Sequence, residues 1–520
     1  MSDMIAAYIG EMSAGFCSKQ IVVIMMLFIL GYLLIAVSYG TKSGVYEVLL
    51  SFPTGLSTYS MAVFLMLVVG IPFGAMSITA LLLVIAFVCA VILIKRSGFG
   101  GIEKKKAAIC LIAMLCIAVI SCSGILPVSL SNDSLYYYHM YPKAIVHSGG
   151  LRMQYNVFLT DVGQTSAILN TLPFVYGFDE GFGIQTVMVI NTLVIMIYAL
   201  FEQSRKIGDN RKAVVATVIL SASLVCSMPY LVMSMWVMSN GYFMCFMFIC
   251  VYTVWRDANR NKVNGICEND KGHIILSLLF VMMSLLRMEG CIIAVILVLC
   301  FSTFDYSGKQ LFITFLLPVF SASLIYDARI FLLMKIDAPY TFLTPVKALV
   351  QFAAIAAVSV YILFIRNRLS EKIRDHFGMV ILSCLIFVNA VLFLYDRSLY
   401  IENAKAFIHN LSDQSGWGLF PMIVIGVYVM WFIARSKKAG YNDTYWDLCF
   451  AAYLLTAIAV SFARDDALRE SIADSGNRVM LQVTLLAFFA SAMRVISLTG
   501  NDGAAENDKN ITEQEENSNG

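Results

Sequence analysis

The chain has 520 residues, of which 59% are hydrophobic and 13% charged, and its 36 Lys and Arg against 34 Asp and Glu leave a formal net charge of +2. About a quarter of a soluble domain is charged, so a water-soluble globular protein is excluded, and with no basic stripe so is a nucleic-acid partner. The 13 cysteines form no CxxC pair and mostly lie in apolar segments, which argues against a disulfide framework or a zinc knuckle.

Stretches of roughly 20 apolar residues recur along the sequence, each long enough for a hydrocarbon core of about 30 Å. Their backbone amides must be satisfied within the segment, so they are helices. In chain order they fall at 21–38, 57–72, 74–94, 107–128, 182–201, 213–233, 240–255, 274–286, 290–304, 311–333, 346–365, 377–395, 419–434, 445–463 and 479–497. The expected fold is all-α: a polytopic transmembrane helical bundle of about 13–15 spanning helices. The first stretch lacks a basic leader and an A-x-A site and reads as a retained helix, not a signal peptide. Segments 274–286 and 290–304 are short and read as two helices meeting at a tight turn, or as one interrupted helix. The chain divides into N-terminal helices of unassigned role (1–106), a membrane domain (107–497) and an acidic, disordered tail (498–520).

Lysine and arginine set the orientation. One set of loops carries Lys95, Arg96 and Lys104–Lys106, then Arg205, Lys206, Arg211 and Lys212, then Arg256, Arg260, Lys262 and Lys271, then Arg366, Arg368, Lys372 and Arg374, then Arg435, Lys437 and Lys438. These loops are expected in the cytoplasm, with the C-terminal tail, in a multi-pass plasma-membrane protein. The alternate loops, 131–163, 234–239, 396–418 and 464–478, are expected outside, and the N-terminus too if all three early helices span. In the first large outside loop Leu135, Tyr138, Tyr141 and Ile145 recur at helical spacing, with His139, Lys143 and His147 on another face: an interfacial amphipathic helix. A second segment, 165–176, is too short to span and reads as a helix on or in the outer leaflet.

Four constellations carry chemistry. In the 131–150 loop, Asp133 is either an N-cap or a general base at the membrane surface, and His139 and Lys143 stand beside it. In Leu285–Gly290, Arg287 and Glu289 interrupt about 30 apolar residues, where charge marks a polar site or simply a wet turn. In 462–481, Arg464, Arg469 and Arg478 share a loop, and Arg478 at a helix start suits a phosphate, unless it anchors to neighbouring acids. In 177–183, Asp179 and Glu180 open the next helix, where acids offset the helix dipole. The histidines lack metal-ligand spacing. No nucleotide phosphate loop, nucleophile elbow or HExxH is present.

At these residues the chain resembles the GT-C superfamily of membrane glycosyltransferases, in particular its bacterial lipid-sugar-dependent branch. The matching features are Asp133, Tyr138-His139, Pro142-Lys143 and Gly149 in the first outside loop, the Arg287-Met288-Glu289-Gly290 turn, and Asn477-Arg478 entering the last helix. The resemblance covers roughly 107–496. Related enzymes often carry a second acid in the next outside loop, where this chain has Asn240, so that role would pass to Glu180 or Glu289. The resemblance implies a polyprenyl-phosphate-linked sugar as donor and a glycan, lipid or protein as acceptor. Asp133 and Glu289 would be catalytic, and His139, Lys143, Arg287, Arg478 and Glu180 would bind substrate. No cofactor is expected, a divalent cation being the one optional addition. The alternatives are a transporter or flippase of a glycolipid or polysaccharide precursor, and a non-catalytic scaffold in a polysaccharide assembly complex.

Overall fold

A computed structural model describes residues 18–40, 44–97, 104–122, 136–150, 164–177, 183–207, 210–227, 230, 234, 237–264, 272–287, 289–337, 344–369, 376–412, 417, 419–435, 444–462 and 475–499. Its first half comprises α1 (Ser18–Tyr39), α2 (Val45–Leu49), α3 (Ser51–Val69), α4 (Ala75–Ser97), α5 (Lys104–Cys122), α6 (Tyr141–Ser148), α7 (Gln164–Leu169), α8 (Thr171–Val175), α9 (Gly183–Ile207) and α10 (Asn210–Val225). A π-turn at Tyr136–Met140 leads into α6. The second half comprises α11 (Ser239–Asn264), α12 (His273–Leu285), α13 (Gly290–Phe301), α14 (Leu317–Asp337), α15 (Pro345–Val360), α16 (Phe377–Tyr395), α17 (Arg397–Ser412), α18 (Phe420–Arg435), α19 (Thr444–Phe462) and α20 (Ser475–Thr499). No strand occurs among the described residues. Nine of their helices are long and apolar enough to cross a membrane. The protein is an all-α, multi-pass helical bundle.

Two helices form its centre. Every side chain of α11 from Tyr242 to Tyr252 is completely buried, and α20 is almost as enclosed. A helix apolar on all sides belongs inside a bundle. At the periphery, α4, α15 and α16 turn Phe87, Leu349, Phe387 and Leu394 outward, as lipid-facing helices do. Between helices, lipid supplies no hydrophobic drive, so packing must come from close backbone approach. Gly31 of α1 and Gly55 of α3 provide it: a Cβ on Gly31 would fall 1.7 Å from the Ser51 carbonyl oxygen, and one on Gly55 1.9 Å from that of Leu27. Helix α3 then stops at Gly70, whose φ of 81° lets its N–H cap the Met66 carbonyl.

The first helices are joined to the rest of the bundle at both of its ends. At one end Glu47 of α2 pairs with Arg256 of α11 at 2.6 Å, both buried, while the guanidinium lies 4.1 Å from the centre of the Tyr46 ring. Nearby, Arg366 donates to the carbonyls of Ser302, Phe304 and Tyr306, closing the turn before α14. Arg494 of α20 grips Asp447 of α19 at 2.5 and 2.6 Å and stacks 4.0 Å from the Tyr428 ring of α18. At the other end Tyr59 of α3 meets Thr171 of α8 at 2.8 Å.

Helices α12 and α13 have 13 and 12 residues, about 20 and 18 Å of axis against about 33 Å for α1. Gly272, preceding α12, packs against the Tyr39 ring at the end of α1, so α12 starts level with α1 and stops short of α1's other end.

The structure departs from the sequence expectations at three places. The 165–176 segment, expected as one helix on or in the outer leaflet, is broken into two and packs against the bundle. It forms α7 and α8, whose residues Thr165 to Pro173 are all buried, because α7 tucks between α3 and α12 and α8 packs on α6. The loop expected at 396–418 contains α17, started by Asp396, whose Oδ1 accepts the Leu399 N–H at 3.0 Å. Helix α3 begins at Ser51, not 57, because Pro53 sits in its first turn, where a missing N–H costs nothing.

Candidate functional site

The polar end of the bundle is organised by Arg287 in the Leu286–Glu289 turn between α12 and α13. Its Nε donates to Glu289 Oε1, and its Nη1 donates to Ser239 Oγ and to Asn240 Oδ1 in the first turn of α11. The remaining nitrogen, Nη2, has no partner among the described residues. Asn240 Oδ1 takes a second donor, Nε2 of Gln482 on α20, at 2.8 Å. Gln482 Oε1 in turn lies 2.9 Å from the Tyr453 hydroxyl of α19, which is also 3.0 Å from the Val479 carbonyl. Tyr138, in the π-turn before α6, donates to Ser239 Oγ at 3.0 Å. One network therefore joins the first large loop, the starts of both central helices, α19 and the turn.

The local folding reasons are visible in the chain. Gln185 of α9 fixes the entry to α11 by accepting the Met238 N–H at 2.9 Å and donating to the Ser234 carbonyl at 3.1 Å. The π-turn rotates Tyr138 inward, and Gly149, at a φ of 65°, ends α6. Along the π-turn and α6, Tyr138, Tyr141 and Ile145 of the expected apolar face are buried, while His147 is exposed; Leu135 lies outside the described residues. His139 and Lys143 both address the Phe174 ring of α8, each 5.2 Å from its centre. They sit next to the network through Tyr138 but are not members of it.

The Arg287 and Glu289 side chains are 15% and 10% exposed. Burial alone would push the guanidinium toward its neutral form, but the Glu289 carboxylate and the Tyr138 hydroxyl reverse this and leave the Arg287 pKa raised. Arg287 is therefore charged. Glu289 Oε2 is buried and has no hydrogen-bond partner among the described residues, which leaves its lone pairs unused there. Chemically the site offers an immobilised cation with one free N–H edge and, within the same turn, a carboxylate oxygen able to accept a proton or a hydroxyl hydrogen bond.

Of the residues singled out in the sequence, Arg287 and Glu289 are brought together. Arg478 lies half-buried in the first turn of α20, one helical turn from Gln482 on the same face. His139 and Lys143 are neighbours around Phe174. Asp133 and Glu180 lie outside the described residues, as do Arg464 and Arg469. Ser239, Gln482 and Tyr453 were missed. The available signal was Gln482 itself, an amide within VMLQVTLL one turn beyond an arginine. Among the described residues no three His, Cys, Asp or Glu side chains converge as metal ligands. No known protein family, curated protein or solved structure matches the chain.

Proposed function

We propose that the chain is a plasma-membrane glycosyltransferase of the GT-C type. It moves a sugar from a polyprenyl-phosphate donor to an acceptor at the outer face. One observation carries this reading: the Arg287 network pairs a buried guanidinium, whose Nη2 meets no partner among the described residues, with a buried Glu289 oxygen that is likewise unclaimed there. Breaking a glycosyl–phosphate bond leaves a lipid phosphate that must be stabilised as charge develops, a task for a preorganised cation in a water-poor site. Attack by a hydroxyl needs a base. Asp133 is the expected base from the sequence resemblance, and Glu289 Oε2 is the described oxygen with the capacity to accept or orient that proton. Gln482 and Asn240 hold the guanidinium in place, and Arg478 stands one turn away as a second cation for the phosphate. The orientation that puts this end outside comes from the lysine and arginine distribution.

The competing reading, a flippase or transporter of the same lipid, would place charge along a path through the bundle. Here the ion pairs among the described residues, Arg256 with Glu47 and Glu202, Arg287–Glu289 and Asp447–Arg494, lie near helix ends or in turns and trace no path through the bundle, which favours chemistry at one end of it.

The test uses membranes containing the full-length protein and a radiolabelled polyprenyl-phosphate sugar. Arg287→Lys keeps the charge but loses the planar fork and is expected to lower transfer by about 100-fold. Asp133→Asn is expected to lower it at least as much. Full transfer by both variants, or translocation of the lipid without transfer by wild type, overturns the proposal.

A further inference from the structure

Outside the Arg287 network one buried carboxylate takes part in no ion pair among the described residues. Asp327 on α14 is 3% exposed. Its Oδ2 accepts from Gln351 Nε2 of α15 at 3.2 Å, and its Oδ1 accepts nothing among the described residues. A carboxylate in an apolar span is costly to bury and is a marker of function by default.

The position of Asp327 relates it to the site. Ser323, one turn earlier on the same face of α14, donates to Cys291 Sγ at 3.4 Å. Cys291 is the second residue of α13, which starts directly after Glu289. Helix α13 runs away from the Arg287 turn and α14 runs back toward it. One turn of α14, about 5 Å, therefore raises Asp327 from the level of Cys291 to that of the turn. On the other side Arg329 reaches the first large loop, where its charge acts on the hydroxyl of Tyr141 in α6. Asp327 and Gln351 thus stand at the same end of the bundle as Arg287, between its turn and the interfacial helix.

The chemistry of the pair is complementary to that of the turn. One Gln351 amide N–H is spent on Asp327, while the Gln351 carbonyl oxygen and Asp327 Oδ1 accept no hydrogen bond among the described residues. Two acceptors side by side suit a ligand that presents hydroxyl donors. We propose that Asp327 and Gln351 form a hydroxyl-binding subsite for the sugar of the lipid-linked donor, while Arg287 takes its phosphate. This rests on the reading of the Arg287 network given above.

The experiment separates the two claims. Full-length protein in lipid nanodiscs is titrated with short-chain polyprenyl phosphate, bare or carrying glucose, galactose or mannose, and binding is followed by intrinsic fluorescence. Wild type should prefer at least one sugar-bearing lipid over the bare one. Asp327→Asn should erase that preference, a loss of about fivefold to tenfold for one hydrogen bond, and leave bare polyprenyl phosphate unchanged. Gln351→Ala should reduce the same preference and serves if Asp327→Asn does not fold. Arg287→Gln should weaken bare and sugar-bearing lipids alike. If folded Asp327→Asn keeps the sugar preference, or loses bare lipid equally, the subsite is wrong while the phosphate site stands. If wild type binds bare and sugar-bearing polyprenyl phosphate no better than phosphatidylglycerol, the functional reading falls and the subsite with it.

Discussion

Asn240 is the pivot on which the candidate site turns, since its single oxygen serves both Arg287 and Gln482. Asn240→Leu keeps the volume but leaves both donors unmet, and each buried unsatisfied group costs about 1–3 kcal/mol. The variant is expected to unfold several degrees earlier in detergent thermal melts and to lose transfer activity, whereas Asn240→Asp, which keeps the acceptor, should retain the fold. Tyr141 makes a second residue-scale case. Burial pushes its hydroxyl up to about 12, with Arg329 drawing it partly back. Above pH of about 10 the unfolded chain releases this proton while the native chain holds it. The contribution is therefore whole below pH about 10 and is lost as pH rises through about 12, of order 2 kcal/mol. Melts of Tyr141→Phe between those pH values should fall less steeply than wild type by that amount. Arg287 and Glu289 were legible in the sequence because charge between two apolar segments has few places to go. Gln482 and Tyr453 were not, because their partners are set by tertiary packing: Asn240 is 242 residues from Gln482, and nothing in the local pattern links them.

At the level of elements, the helices were legible because lipid demands long apolar runs, and the observed boundaries of α16, α18 and α19 fall within a residue or so of the apolar stretches. What escaped were helices that owe their place to neighbours and not to lipid. Helix α17 mixes Glu402, Lys405 and His409 into its length, so no apolar window reveals it. Helices α7 and α8 are only six and five residues long and hold because Thr165 donates to the Leu285 carbonyl and Tyr59 meets Thr171. The tightest element contact is between α1 and α3. A methyl at Gly31 cannot fit beside the Ser51 carbonyl, so Gly31→Ala should force the helices apart and cost about 1–3 kcal/mol. Alanine at Gly426, whose Cβ would meet open space, is the matched control and should leave the melting temperature unchanged.

For the whole molecule, every described contact between distant helix termini joins ends that the charge pattern assigns to one side: Glu47 with Arg256, Arg366 with the 302–306 turn and Asp447 with Arg494 at one end, and Tyr138, Asn240, Arg287 and Gln482 at the other. The sidedness that follows is testable. In intact cells a membrane-impermeant maleimide should label His147→Cys above the parent background and leave Arg368→Cys unlabelled until the cells are opened; the reverse pattern would invert the topology. The short α12 and α13 have a consequence for this arrangement. Starting level with α1 and spanning only about 20 Å of a bilayer core near 30 Å, α12 lets the Arg287 turn hang roughly 10 Å below the rim. Under the proposed function the donor's phosphate would have to enter the bundle to reach that guanidinium, a demand on the lipid that a cation at the surface would not make.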